Sequence, residues 1–169
     1  APGNHEYYSD YNAWMTHFRS LGLKTLENQS VNIDINGARL ALSGVGDPTF
    51  YRKGPVHHDG GIAPDIPAVV QQAQGSDFHI LIAHQPKLAR EAAATGRIDL
   101  QISGHTHGGH IVGMDRWLVA PFNDGFVRGR YQIGSMALYV VPGAGLWDGF
   151  STRLGVPAKI NVFILKKGG

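Results

Sequence analysis

Apolar and polar residues change their spacing several times along the chain. Between 9 and 21, Trp14, Phe18 and Leu21 recur at i, i+4 and i+7, which predicts a helix with Ser9 or Asp10 as its cap and Gly22 as its stop. The period then falls to two. Val31, Ile33 and Ile35 alternate with polar residues, Asn36-Gly37 can make a two-residue turn, and Arg39 to Leu42 start a return strand, so a hairpin is expected. Residues 47–63 read as a long loop. A helix follows over 64–74, with Ile66, Val69, Val70 and Ala73 on one side. Next come an apolar strand over 78–83, a helix from Pro86 that Gly96 can stop, and a strand over 98–102. Beyond 111 the pattern turns to strands and turns, clearest over 136–141 and 159–165.

The middle of the chain therefore alternates helix and strand, the grammar of an α/β domain. Its length of 169 residues suits one domain. Net charge is +2, a bias too weak to argue for nucleic acid but compatible with an anionic substrate. There is no cysteine, which excludes disulfides, thiolate metal sites and cysteine nucleophiles. No signal peptide opens the chain, and no apolar run approaches the ~18–20 residues of a membrane span.

Nine histidines change the picture, because three of them follow directly on strands. His84 ends the 78–83 strand, and His105 and His107 follow the 98–102 strand within Gly104-His105-Thr106-His107-Gly108-Gly109-His110. Functional residues of open α/β sheets gather beyond the carboxyl ends of strands. On an extended segment His105 and His107 would point the same way and could meet one metal ion. The start of the chain, Gly3-Asn4-His5-Glu6, adds an amide oxygen and a further imidazole. His110 could support the loop or the substrate. His57-His58 read as surface loop, and Arg128, Arg130 and Arg153 are phosphate-contact candidates that spacing does not separate.

Taken in order, G-N-H-E, A-H-Q-P and G-H-T-H-G-G, with gaps of about eighty and about twenty residues, this sequence resembles the calcineurin-like metallophosphoesterase family. The wording G-H-T-H-G-G-H-I and the closing VPGAGLWDGFSTRLGVPAKINVFIL look most like its bacterial membrane-associated or exported branch. Pro157-Ala158-Lys159 departs from that branch's usual Pro-Pro-Glu.

The resemblance implies a two-sheet β-sandwich flanked by helices, with residues 1–169 as the C-terminal portion of one such domain. It implies that Asn4, His84 and His105 hold one metal ion and His107 a second, and that His5 is the general acid. The implied reaction is hydrolysis of phosphomonoesters or phosphodiesters by attack of a metal-bound hydroxide, with manganese, iron or zinc as the ions. The family's Asp-x-His and Gly-Asp-x-x-Asp motifs would precede G-N-H and are expected to be absent. Asp77-Phe78-His79 and Gly46-Asp47 imitate them in the wrong order. The 169 residues alone are therefore expected to bind at most one ion and to be inactive, with an open edge beside the 78–83 and 98–102 strands. The missing part of the domain or self-association would cover that edge. A membrane-associated or exported location is suspected, through sequence upstream, and substrate choice is expected in loops 47–63 and 112–130. The competing readings are a non-catalytic interaction domain retaining a mononuclear site, and a different zinc hydrolase, disfavoured because no zinc-protease helix motif is present.

Overall fold

The computed structural model describes residues 1–52, 60–147 and 152–166, so His57 and His58 lie outside the described residues. The α/β class stands. Helices α1 (Asn4–Tyr7) and α2 (Tyr11–Ser20) precede the hairpin β1 (Gln29–Ile35) and β2 (Ala38–Gly44). Then come α3 (Ile66–Gln72), β3 (Phe78–Ile82), α4 (Ala89–Ala94), β4 (Leu100–Ser103), β5 (Gly129–Ile133) and β6 (Met136–Val140). Among the described residues the strands form one six-stranded sheet in the order β1-β2-β3-β4-β6-β5. Strands β2, β3, β4 and β6 run parallel, and β1 and β5 pair antiparallel on the two flanks.

The local signals explain most elements. Asn36 and Gly37 both take positive φ, as the hairpin turn demands. Asp10 and Asp65 cap α2 and α3 by accepting hydrogen bonds from the Ala13 and Ala68 amides. The phase of α2 differs from the expected one. Its inward face is Tyr11, Met15 and Phe18, while Trp14 is 43% exposed and Leu21 is exposed too. Tyr11 can go inside because its hydroxyl donates to Glu27, whereas the Trp14 indole donates to Ser9 at the surface.

Parallel strands bury both ends of their pairing in the sheet, and the sheet's covered face holds the core. Leu81, Met136, Leu138 and Val140 meet Ile66 and Val69 of α3 and Ala89 and Ala92 of α4 in one cluster. Full burial of each large aliphatic side chain is worth about 1.5–3 kcal/mol. His79 lies on this face and is a structural residue. Its Nε2 pairs with Ser43 Oγ at 2.6 Å and its Nδ1 with the Arg97 carbonyl at 3.0 Å, and burial holds its pKa down. Asp77 is a turn residue, accepting from the Arg39 amide.

Two expectations change. The open edge expected beside β3 and β4 is absent, since both strands are paired on both sides and the flanks are β1 and β5. No strand forms over 159–165. That segment lies instead across the second face, where Asn161 donates to the Tyr139 hydroxyl and Phe163 packs edge-on against the Tyr139 ring. Its alternate residues Ile160, Val162 and Ile164 are exposed. A strand needs a ladder partner, and this segment pairs with none of the six strands. Among the described residues no helix is long and apolar enough to cross a membrane.

Candidate metal centre

Because β2, β3, β4 and β6 are parallel, their carboxyl ends deliver four loops to one side of the sheet. These loops carry Asp47, His84-Gln85, residues 104–110 and residues 141–147. Helix α1 reaches the same place from the start of the chain. Gly3 N–H donates to Glu6 Oε2 at 2.7 Å, which closes G-N-H-E into a single helical turn and leaves Asn4 and Tyr7 buried. Glycine at position 3 has a steric reason, because a Cβ there would stand 3.2 Å from the His84 ring.

Asn4, His84 and His105 converge. The Asn4 Oδ1 lies 2.7 Å from His84 Nε2 and 3.2 Å from His105 Nδ1. The two imidazoles meet edge to face, with centroids 5.2 Å apart. Burial, first of all, pushes both histidines down to a pKa of about 4, and neighbouring histidines push the same way. The Asp47 carboxylate opposes this at His105. Both rings are thus neutral at physiological pH, the form in which an imidazole nitrogen has a lone pair to give to a metal. One amide oxygen and two neutral imidazole nitrogens fit a single borderline or hard cation.

His107 is near but not in this cluster. It acts electrostatically on both buried rings, yet its own Nδ1 faces the Gly145 carbonyl at 3.3 Å and its ring packs beside His110. The expected extended segment is not formed: β4 stops at Ser103, His105, His107 and His110 take positive φ, and 107–109 make a single tight turn. Positive φ at a non-glycine residue costs on the order of 1–2 kcal/mol, so other contacts must hold the loop. Thr106 Oγ1 donates to the Val127 carbonyl at 2.6 Å, Arg128 donates to the Gly108 carbonyl at 2.7 Å, and Arg153 donates to the His107 carbonyl at 3.1 Å. Arg128 also pairs with Asp115 at 2.7 Å. These two arginines therefore brace the histidine loop, and Arg130 bonds to Gln132 on the sheet flank. Buried His110 lies between His107 and Trp147. His5 stands on the exposed side of α1 with its ring against Tyr8, close enough to act on the charge of His84. Among the described residues no three His, Cys, Asp or Glu side chains gather as a metal-binding group, so the cluster depends on the Asn4 amide.

Sequence reasoning missed Asp47. It is fully buried, and its Oδ1 accepts from the Thr49 amide at 2.9 Å and from Gln85 Nε2 at 2.6 Å. Its amide donates to the Tyr7 hydroxyl, tying it to α1. Oδ2 has no hydrogen-bond partner among the described residues. A buried carboxylate needs compensation, and here it sits beside the residue that follows His84 and acts on His105. The available signal was Gln85 in A-H-Q-P, a polar residue at a strand end that must bond to something inside.

No family model matches the chain. It is 34% identical over 168 residues to an uncharacterized metallophosphoesterase of Campylobacter jejuni, covering 98% of this chain and 41% of that protein. An uncharacterized metallophosphoesterase of Helicobacter pylori is 35% identical over 160 residues, covering 94% and 40%. A Bos taurus transmembrane protein with metallophosphoesterase domain is 34% identical over 173 residues, covering 97% and 37%. The chain thus spans about 40% of the length of such relatives. Among solved structures, the fold is similar to Thermus thermophilus sulfate thiohydrolase SoxB, with a TM-score of 0.52 at 15% identity over 76% of this chain and 25% of that one.

Proposed function

Starting from the fact that the chain belongs to the metallophosphoesterase family, we propose that Asn4, His84 and His105 hold one metal ion of a phosphate-ester hydrolase site. The observation that carries this is the convergence of Asn4 Oδ1 on His84 Nε2 and His105 Nδ1, at 2.7 and 3.2 Å. Such an ion supplies Lewis acidity and a lowered pKa for water. The protein's part is to keep both imidazoles neutral by burial, and to keep compensating negative charge at Asp47 behind them. Exposed His5, which acts on the charge of His84, would hand a proton to the leaving oxygen of a phosphate ester. His107 is the candidate ligand for a second ion, on a loop whose carbonyls Arg128 and Arg153 fix.

Manganese, iron and zinc all suit this donor set. On this reading the 169-residue chain binds at most one ion and is inactive, because His107 alone cannot hold a second. A membrane-associated or exported setting belongs to the same proposal, and the word transmembrane in the name of the Bos taurus relative supports its first half. So does an association of this chain with the rest of the domain or with a second copy. The alternative, a binding domain with a mononuclear site, draws on the place of His107 outside the Asn4, His84 and His105 cluster, with its Nδ1 at the Gly145 carbonyl and only Nε2 left to give to an ion.

The test is calorimetric titration with manganese and zinc, together with hydrolysis of bis(p-nitrophenyl) phosphate. One ion per chain, lost in His105→Ala and Asn4→Ala, supports the assignment. No binding by the wild type would sink it. Fast hydrolysis by this chain, abolished by His105→Ala, would overturn the expectation of inactivity.

A further inference from the structure

Beside the histidine cluster is a cavity of about 240 Å³. His105 forms part of its wall, and Leu118, Val119, Phe122 and Trp147 supply apolar surface. We propose that this cavity binds the apolar substituent of a phosphate ester, an alkyl or aryl group, while the phosphate lies at His105. The proposal rests on the phosphoesterase reading above and adds the substrate class.

Three observations carry it. First, the Thr106 and Asn123 donors of the wall are committed to the protein, and in that wall Asn123 Oδ1 alone is buried without a hydrogen-bond partner among the described residues. Thr106 Oγ1 donates to the Val127 carbonyl, and Asn123 Nδ2 donates to the Val119 carbonyl at 3.0 Å. What remains to meet a ligand is mostly hydrocarbon and indole, the surface that selects apolar groups. Second, the wall is built from a short, sharply folded segment: a single π-type turn over Asp115–Val119 runs straight into a 3-10 turn over Ala120–Asn123. Such π-turns are rare and concentrate at functional sites. The turn buries Val119 and Asn123 but leaves two lining residues, Phe122 and Leu118, 75% and 41% exposed. Large apolar side chains held outward beside a cavity mark a contact surface for an apolar partner. Third, the size fits. A cavity of roughly 150 Å³ lined by aliphatic and aromatic side chains takes a benzene ring, so this one can take an aryl group or a short alkyl chain. Because His105 is shared, an ester whose phosphate reaches the histidine cluster can place its substituent here without a linker.

The experiment titrates the manganese-loaded chain with methyl, butyl, hexyl and phenyl phosphate by calorimetry, and the metal-free chain with hexanol. Affinity is expected to rise about three- to fourfold for each methylene that enters. Hexyl phosphate should therefore bind at least tenfold tighter than methyl phosphate, with a more negative heat-capacity change. Leu118→Gln and Phe122→Ala alter partly exposed positions and should flatten the series while leaving methyl phosphate unchanged. Hexyl rising above phenyl assigns an alkyl substituent, and the reverse assigns an aryl one. If all four phosphates bind alike in the wild type, the cavity proposal is overturned and the phosphate reading stands. If hexanol binds but no phosphate does, the phosphate reading falls, and the link between cavity and ester falls with it.

Discussion

The amide oxygen of Asn4 lies 2.7 Å from Nε2 of His84, across a sequence separation of 80 residues. The contact joins the first helical turn of the chain to the end of the third strand. It also sets what Asn4→Ala should do. The buried His84 ring would lose its partner, which costs about 1–3 kcal/mol of stability in the metal-free chain. Manganese affinity should fall more than tenfold. Urea melts with and without manganese check both, and an unchanged metal-induced shift of the midpoint would show that Asn4 is not a ligand.

The two buried histidines make stability depend on pH. Their pKa values are about 4 in the folded chain against 6.5 when unfolded. Between those values the unfolded state binds protons that the folded state refuses. Stability is therefore full above 6.5 and is lost as pH falls towards 4, by up to about 1.4 kcal/mol per pH unit for each histidine. Denaturant midpoints measured from pH 7.5 to 4.5 should fall steadily. His105→Gln should remove part of the slope, and a slope unaltered by this change would show that His105 is not held neutral by the fold.

Glycine is required at two adjacent places in the histidine loop for different reasons of space. A Cβ on Gly109 would lie 2.5 Å from the Asp115 Cβ and 2.7 Å from its Cα, and one on Gly108 would lie 2.8 Å from Pro142 and Val156. Gly113 also has positive φ, yet a Cβ there meets nothing within 4 Å. Gly113→Ala should then cost about 1 kcal/mol, the conformational term alone. Gly109→Ala should cost more than about 2 kcal/mol, because backbone and not a flexible side-chain tip must move. Thermal melts of the two variants should separate clearly, and equal losses would mean that the loop does not close on residue 115.

How legible this was in the sequence depended on whether neighbours in sequence or neighbours in space decided the outcome. The hairpin at Asn36-Gly37 is a local matter and was readable. So was the delivery of His84 and His105, because each follows an apolar run that pairs on both sides in a parallel sheet. The inward face of α2 was not, since Tyr11 is buried through a hydroxyl bond to Glu27, sixteen residues away. The alternating segment 159–165 carried a strand signal, but no ladder received it. The turn of His107 towards Gly145 needed the positive φ of His105, His107 and His110, where the sequence suggested an extended segment.

Asp47 illustrates the same limit and gives the sharpest test of the site's electrostatics. In sequence it looked like a misplaced copy of a metal motif. In the fold it is a buried carboxylate that anchors Gln85 at 2.6 Å and acts on His105 by its charge. Asp47→Asn can keep the bonds from Thr49 and Gln85 through its oxygen while removing the charge. The pKa of His105 should then fall further, because the charge that raises it is gone. Manganese binding should weaken, because less negative charge compensates the ion. Asp47→Ala removes the acceptor of the Thr49 amide and of one of the two Gln85 bonds, the other running to Thr49 Oγ1, and should cost about 1–3 kcal/mol more than Asp47→Asn. Proton NMR titration of the His105 ring, paired with manganese calorimetry, separates the two effects. A His105 titration and a manganese affinity both unmoved in Asp47→Asn would confine this carboxylate to capping the turn at Thr49.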